Sequence, residues 1–126
     1  MYNLFLDDFR MPEDAFHYTK FSVYLKEDWV IVRNYDEFVL CIKKNGLPTL
    51  VSFDHDLADI HYDNTSSIID YDSYTEKTGY SCVLWLIDYC MDNKEQFPKY
   101  LIHSMNTVGE ENIRKLINNY LKFSSR

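Results

Sequence analysis

Short apolar runs recur along the chain, and each is followed by polar or helix-like sequence. Runs of this length, rich in Val, Ile, Leu and Phe, are typical of buried β-strands rather than of helices. We expect four strands, at about Tyr2–Leu6, Trp29–Val32, Leu50–Phe53 and Tyr100–Ile102. The pattern therefore predicts a sheet at the centre of the fold.

Three longer segments have apolar residues at helical spacing. The first follows Asn34 as its N-cap, carries acidic residues in its first turn and lysines in its last, and stops at Gly46. That charge order is the one a helix dipole favours. The second opens at Thr78-Gly79 with a broad apolar face, and the third is predicted over about Gly109–Lys122.

Two segments show no clear periodicity. Met11–Asp14 is expected to end the first strand, and Ala15–Asp28 is compatible with either a short helix or an extended excursion. Residues Ala58–Lys77 are polar, and we expect them to form a long loop over the strand ends, as a lid or a substrate wall.

The order of these elements is β-β-α-β-α-β-α. Such alternation predicts one three-layer α/β domain over residues 1–126, with a mostly parallel sheet of about four strands. The strand order that we expect for this sheet is 2-1-3-4. No fifth strand is predicted after the last helix.

Composition and net charge limit the binding partners and the cellular compartment that we expect for this protein. The net charge of −7 argues against a duplex DNA partner, but it allows a nucleotide or a short RNA end that reaches a local Arg. No stretch approaches the ~20 apolar residues of a membrane span, so no membrane partner is expected. Three cysteines in predicted helices and no visible secretory signal suit the cytoplasm. Scarce alanine, with abundant Tyr, Asn and Lys, suits an AT-rich genome such as that of a phage or a low-GC bacterium.

Polar side chains follow three of the predicted strands. In a parallel sheet the carboxyl ends of neighbouring strands share one edge, where ligands bind. We therefore expect one cleft that contains these side chains, which are Asp7, Asp8 and Arg10 after the first strand, Asp54, His55 and Asp56 after the third, and His103, Ser104 and Asn106 after the fourth.

The carboxylates in this set suit a hard divalent cation. Asp7, Asp8 and Asp54 offer the oxygen ligands that Mg²⁺ or Mn²⁺ prefers, although an acidic pair is also common in a solvated turn. Arg10 matches a phosphate with its planar fork, or it forms an ion pair with the aspartates, and both roles are compatible.

The two histidines are candidates for proton transfer. His55 lies between Asp54 and Asp56, and a carboxylate neighbour favours the imidazolium, so His55 is expected to act as a general acid or base. His103 precedes the last helix, whose N-terminus Asn106 is expected to cap and which is a standing anion site. We expect His103 to face a bound phosphate there, the alternative being a hydrogen bond to a loop carbonyl.

Other chemistries find no support in the sequence. The chain has no glycine-rich phosphate loop, no pair of cysteines two residues apart and no helical histidine spacing for zinc. Ser104 lacks the glycine frame of a nucleophile elbow, so serine hydrolase chemistry is not expected.

The strand ends together resemble the cyclic-phosphate-processing receiver family, a divergent branch of the response-regulator receiver fold. The resemblance implies a receiver- or flavodoxin-like architecture. The blocks that carry it are Leu4–Pro12, Val51–Leu57, Thr78-Gly79, Trp85-Leu86 and Ile102–Asn106.

An ordinary receiver has an acidic pair after strand one, a phospho-accepting Asp after strand three and a Ser or Thr after strand four. Asp7, Asp8, Asp54 and Ser104 fit those places, but no fifth strand is predicted for the Lys that a receiver also needs. Phosphorelay signalling is therefore disfavoured. The similarity to the cyclic-phosphate branch lies in His55, Asp56 and His103.

The resemblance implies an enzyme that processes a cyclic phosphate on a nucleotide or an RNA end. One histidine would activate water and the other would protonate the leaving oxygen, while Arg10, Ser104 and Asn106 hold the phosphate. The four aspartates would orient the histidines or bind the cation. Two alternatives stay open, a module that binds a cyclic nucleotide without cleaving it and a receiver-type interaction domain.

Overall fold

The computed structural model describes residues 2–55 and 78–124, and a parallel four-stranded sheet is at its centre. The strand order is β2-β1-β3-β4, as the sequence predicts. All three strand pairs are parallel. The strands are β1 (Asn3–Leu6), β2 (Trp29–Val32), β3 (Leu50–Phe53) and β4 (Lys99–Ile102).

Five helices connect or follow the strands in the described residues. They are α1 (Pro12–Thr19), α2 (Val23–Lys26), α3 (Tyr35–Asn45), α4 (Gly79–Asn93) and α5 (Thr107–Ser124). The fold is therefore a receiver- or flavodoxin-like α/β fold. The predicted loop Ala58–Lys77 lies outside the described residues.

Helices α1 and α5 begin at residues that differ from those expected from the sequence periodicity. The ambiguous segment after β1 is helical, and α1 already begins at Pro12, because proline fits the first helical position and the Met11 N–H is satisfied by the Asp14 carboxylate, 2.8 Å away. Helix α5 begins at Thr107, two residues before the predicted start. Its cap is the expected one, since Asn106 Oδ1 accepts the N–H of Gly109 at 2.9 Å.

Two apolar clusters lie on opposite faces of the sheet. Side chains alternate along a strand, so Leu4 and Leu6 of β1 pack into the larger cluster with α3, α4 and α5, whereas Phe5 packs into the smaller one with α1 and α2. The result is the expected three-layer arrangement. No helix in residues 2–55 or 78–124 has the length and apolar character needed to cross a membrane.

Candidate functional site

The strand register aligns three polar residues at the carboxyl edge of the sheet. Leu6 of β1 is opposite Phe53 of β3, and Phe53 is opposite Ile102 of β4. The next residue of each strand is thus Asp7, Asp54 or His103. Two backbone hydrogen bonds extend the pairing to this level, from Asp54 N–H to the Leu6 carbonyl at 3.1 Å and from His103 N–H to the Phe53 carbonyl at 2.9 Å.

An acidic cluster forms at this edge. One carboxylate oxygen from each of Asp7, Asp8 and Asp54 lies within 4.8 Å of the other two. Asp7 and Asp54 are buried and Asp8 is half-buried. Three close oxygen donors are what a hard divalent cation prefers, so the residues fit the metal expected from the sequence.

The Asp7 carboxylate is hydrogen-bonded through both of its oxygens. Oδ1 accepts the N–H groups of Phe9 and Arg10, at 3.0 and 2.9 Å, and Oδ2 lies 3.0 Å from His103 Nε2. Burial raises the pKa of Asp7, but the hydrogen bonds from His103, Arg10 and Phe9 outweigh it and hold the pKa well below its usual value. Asp7 is therefore a fixed carboxylate.

Arg10 spans the buried carboxylates. Its Nη1 lies 3.4 Å from Asp7 Oδ2 and 3.7 Å from Asp54 Oδ2, and its side chain keeps 20% of its exposure. The guanidinium also lies 4.6 Å from the Phe9 ring centroid and 5.7 Å from that of Tyr18. The ion-pair alternative is thus realised, and the partial exposure keeps the phosphate role compatible with it.

Arg33 is a site residue that sequence reasoning missed. It follows β2, and its Nη1 donates to the carbonyls of Asp7 and Arg10, at 3.1 and 2.7 Å. It therefore holds the turn that carries the first acidic pair. Backbone carbonyls as partners leave no pattern in a sequence, so no local signal was available.

His103 is placed differently from the expectation that it faces a bound phosphate. The ring is buried and stacked on Phe5, with centroids 4.4 Å apart. Nδ1 lies 2.6 Å from Ser52 Oγ, and Nε2 lies 3.0 Å from Asp7 Oδ2, so both ring nitrogens already have partners. Burial lowers the pKa of His103 and outweighs the opposing effect of Asp7. The expectation that His103 faces a bound phosphate is therefore corrected. The ring is buried against the face of the sheet, and its nitrogens contact Ser52 and Asp7 instead of facing the cleft.

His55 lies in a different environment. It is half-buried, and its ring packs against the first turn of α5, where a Cβ added to Gly109 would lie 2.4 Å from His55 Cγ. The ring also lines a groove of about 470 Å³ together with Thr78, Tyr80, Asn112, Lys115, Leu116 and Asn119. Asp56, the other expected neighbour of His55, lies outside the described residues.

A glycine keeps this strand end against α4. The Gly79 N–H donates to the His55 carbonyl at 2.7 Å, and a Cβ at Gly79 would lie only 1.8 Å from the Asp54 carbonyl oxygen. Only glycine permits this approach, because the opposing atom belongs to the backbone. The helix start and the end of β3 are thus joined directly below Asp54.

Ser104 and Asn106 shape the start of α5. Ser104 is buried, and its Oγ accepts the Asn106 N–H at 3.0 Å, while Asn106 Oδ1 caps the helix through Gly109. These contacts organise the turn at the end of β4. They place both residues at the expected helix N-terminus, and their role toward a phosphate stays a prediction.

Three buried or half-buried hydroxyls complete the site and were not predicted. The Tyr24 hydroxyl lies 2.7 Å from Ser52 Oγ, and the Tyr18 hydroxyl donates to the His103 carbonyl. Ser52 was visible in the sequence as a lone polar residue inside an apolar strand. Its partners come from other elements and had no local signal.

Comparison with known proteins gives one match. The family model described as the cyclic-phosphate processing receiver domain matches residues 2–119. No curated protein and no solved structure matches the chain.

Proposed function

The chain belongs to the cyclic-phosphate processing receiver domain family, and from that premise we propose that it is a phosphoesterase that opens a cyclic phosphate ester on a small nucleotide or an RNA end. One observation carries the proposal. The partly exposed guanidinium of Arg10 lies across two buried carboxylates at the sheet edge where ligands bind in this type of fold. A guanidinium held in this way suits the oxygens of a phosphate ester.

The acidic cluster would hold the cofactor, Mg²⁺ or Mn²⁺. Asp7, Asp8 and Asp54 are the ligands, and their mutual distances within 4.8 Å support this assignment. When bound, the cation would neutralise charge on the phosphoryl oxygens and acidify a neighbouring water. The cation would share Asp7 and Asp54 with Arg10.

Arg10 would bind the phosphoryl oxygens. Its ion pairs and its contacts with Phe9 and Tyr18 restrict its rotamers, so little conformational freedom is lost when a phosphate binds. Nearby carboxylates outweigh partial burial and raise the pKa of Arg10, which keeps the guanidinium charged. Ser104 and Asn106, at the start of α5, would supply further polar contacts to the same phosphate.

His55 would transfer the proton. In hydrolysis the water oxygen bonds to phosphorus, one ring P–O bond breaks, and the water proton ends on the leaving ribose oxygen. His55 would take that proton as a general base and return it as a general acid, with Asp56 as a candidate to orient the ring. His103 would act through Asp7 instead of on the substrate, because both its ring nitrogens have protein partners.

The groove beside His55 would accept the nucleoside. Its volume of about 470 Å³ falls within the range of small-molecule sites. Tyr80 offers a ring on which a base can stack, and the amides of Asn112 and Asn119 offer both donors and acceptors for a base edge. These features favour a nucleotide over a small phosphate ester that has no base.

The test is incubation with 2′,3′-cyclic, 3′,5′-cyclic and cyclic oligonucleotide substrates, read by mass spectrometry and ³¹P NMR. We expect a phosphomonoester from at least one 2′,3′-cyclic substrate, loss of turnover with EDTA and recovery with Mn²⁺ or Mg²⁺. Asp8→Asn should weaken the response to metal, whereas Asp92→Asn, on the exposed end of α4, should not. Turnover that chelation leaves untouched would assign the aspartates to orienting Arg10 and His103.

A binding module for a cyclic nucleotide is the second candidate. The observation that favours it is the withdrawal of His103 from the cleft, which leaves one histidine for proton transfer. Saturable binding of a cyclic nucleotide with no product would establish it. A receiver-type domain would instead accumulate a phosphorylated Asp54 from acetyl phosphate and Mg²⁺, which intact-mass analysis detects.

A further inference from the structure

Four buried side chains form a continuous hydrogen-bonded chain that ends in the acidic cluster. It leads from the Tyr24 hydroxyl to Ser52 Oγ at 2.7 Å, and from Ser52 Oγ to His103 Nδ1 at 2.6 Å. His103 Nε2 then contacts Asp7 Oδ2 at 3.0 Å. None of the four residues is more than 2% exposed. Water therefore does not compete for these bonds from outside.

The chemistry of the groups gives the chain one direction. In the Nε2–H tautomer of His103, Nε2 donates to the Asp7 carboxylate, which only accepts. Nδ1 is then a bare acceptor, which requires the hydrogen of the Ser52 hydroxyl. Because Ser52 Oγ donates its only hydrogen to His103, it accepts a hydrogen bond from the Tyr24 hydroxyl. Burial raises the pKa of Tyr24 to about 12, so that hydroxyl keeps its proton at neutral pH.

We propose that Tyr24 and Ser52 are positioning residues, which fix the orientation and the Nε2–H tautomer of His103 so that the ring holds the Asp7 carboxylate for the cation and the phosphate. The proposal rests on the proposed function in so far as Asp7 serves the cation. Groups behind a metal ligand commonly orient it in this way. Neither Tyr24 nor Ser52 is among the site residues that the sequence predicts.

The connectivity Asp–His–Ser is also that of a catalytic triad, and the structure decides against that use. Ser52 is fully buried inside β3, and its Oγ lies between His103 Nδ1 at 2.6 Å and the Tyr24 hydroxyl at 2.7 Å. A nucleophilic serine must reach a substrate carbonyl or phosphorus. The direction of action is therefore from Tyr24 toward Asp7, and Ser52 does not attack a substrate.

The experiment reads the ring nitrogens of His103 directly. In uniformly ¹⁵N-labelled protein at neutral pH, a long-range ¹H–¹⁵N spectrum should show His103 as the neutral Nε2–H tautomer. Ser52→Ala should shift the Nδ1 signal of His103 and weaken Mn²⁺ binding roughly ten-fold, the low end of the loss typical for groups behind a metal ligand. Tyr24→Phe should produce the same changes at smaller amplitude, because Tyr24 is one hydrogen bond further from His103 than Ser52 is.

Tyr2→Phe is the matched control. It removes another tyrosine hydroxyl bonded inside the protein, to the Gly46 carbonyl at the opposite end of the sheet. This variant should leave the His103 signals and the Mn²⁺ affinity unchanged. If Ser52→Ala does not fold, Tyr24→Phe decides, because it keeps the ring and removes one oxygen.

Two results would overturn the proposal. One is a wild-type His103 that is an imidazolium or carries its proton on Nδ1. The other is unchanged His103 nitrogen signals and unchanged Mn²⁺ affinity in the folded variants. Neither measurement requires turnover. Shifted signals and weaker Mn²⁺ binding in a protein that cleaves no cyclic phosphate would support the positioning role and count against the proposed function alone.

Discussion

The ends of β3 and β4 carry the two histidines of the site, and they use them differently. At the end of β3, His55 is half-buried, packs on Gly109 and lines a groove of about 470 Å³. At the end of β4, His103 is buried, stacks on Phe5 and has partners at both ring nitrogens. The two strands are direct neighbours, and both side chains lie at the same edge.

One residue of offset separates the two environments. Phe53 and Ile102 are paired, so His103 is level with Asp54 and Asp7, whereas His55 is one position further along. Successive side chains of a strand point to opposite faces. One imidazole is therefore placed on the α1 and α2 side with Phe5, and the other on the α5 side. The comparison teaches that position relative to the pleat, more than residue type, decides whether a histidine at a strand end is buried against the sheet or lines a groove.

The largest expected effect comes from removing the exposed member of the pair. His55→Ala should lower turnover of a cyclic phosphate by ~10²–10⁴, the usual contribution of a general acid or base. His17→Ala, on the exposed face of α1, is the matched control and should have no effect. Steady-state kinetics on folded protein measures both. Near wild-type turnover in His55→Ala would remove the proposed distinction between the histidines.

A second change moves His55 without replacing it. In Gly109→Ala the new Cβ would lie 2.4 Å from His55 Cγ, so the imidazole must shift. The opposing atoms belong to a side chain, and we expect the protein to fold. A displacement of about 1 Å can cost roughly 10²-fold in rate, so kcat should fall by up to that factor.

The control for this change is Val108→Ala, at an exposed neighbouring position. It should leave kcat unchanged. A Gly109→Ala variant with full activity and a displaced ring in its crystal structure would show that the position of His55 is unimportant.

A third change tests Arg10, whose guanidinium pairs with Asp7 after β1 and with Asp54 after β3. Arg10→Lys keeps the charge but loses the planar fork, so kcat/KM should fall roughly tenfold, the equivalent of one charge-assisted hydrogen bond. Arg114→Lys, an exposed arginine paired with Glu110 on α5, should behave like the wild type. Equal values for the two variants would argue against a bidentate phosphate contact.

The smallest effect concerns stability and the buried histidine. Burial lowers the pKa of His103 in the folded state, so below the ordinary value of about 6.5 the unfolded chain binds a proton that the folded protein does not. The free energy of unfolding should therefore fall as pH decreases below about 6.5, by at most about 1.4 kcal/mol per pH unit. The hydrogen-bonded Asp7 adds its own loss only in stronger acid, because its pKa is lowered from a starting value near 3.9.

Urea unfolding at pH 7.5, 6.5 and 5.5 measures this slope. His103→Gln should flatten it, since the amide does not titrate, whereas His17→Ala should retain it. A wild-type protein that becomes more stable between pH 6.5 and 5.5 would mean that His103 is charged and paired with Asp7.

Local patterns in the sequence determined the elements and their order. Short apolar runs predicted the four strands, and alternation with helices predicted a mostly parallel sheet. The expected strand order 2-1-3-4 is the one that the structure has. The caps at Asn34 and Asn106 were also predicted, because a cap is a contact over three residues, and α4 begins at the predicted Thr78-Gly79. The meeting of Asp7, Asp8, Asp54 and Arg10 followed from the rule that parallel strands end at one edge.

The tertiary structure alone decided the burial and the hydrogen-bond partners of the polar groups at that edge. His103 was expected to face a phosphate, and its burial depends on Phe5, Ser52 and Asp7, which are distant in sequence. Tyr24 lies on α2 and Arg33 follows β2, and no sequence motif marks either residue as part of the site. Local sequence encodes contacts over a few residues, but burial and hydrogen-bond partners come from register and packing between elements. For that reason the edge was predictable and the environments of its two histidines were not.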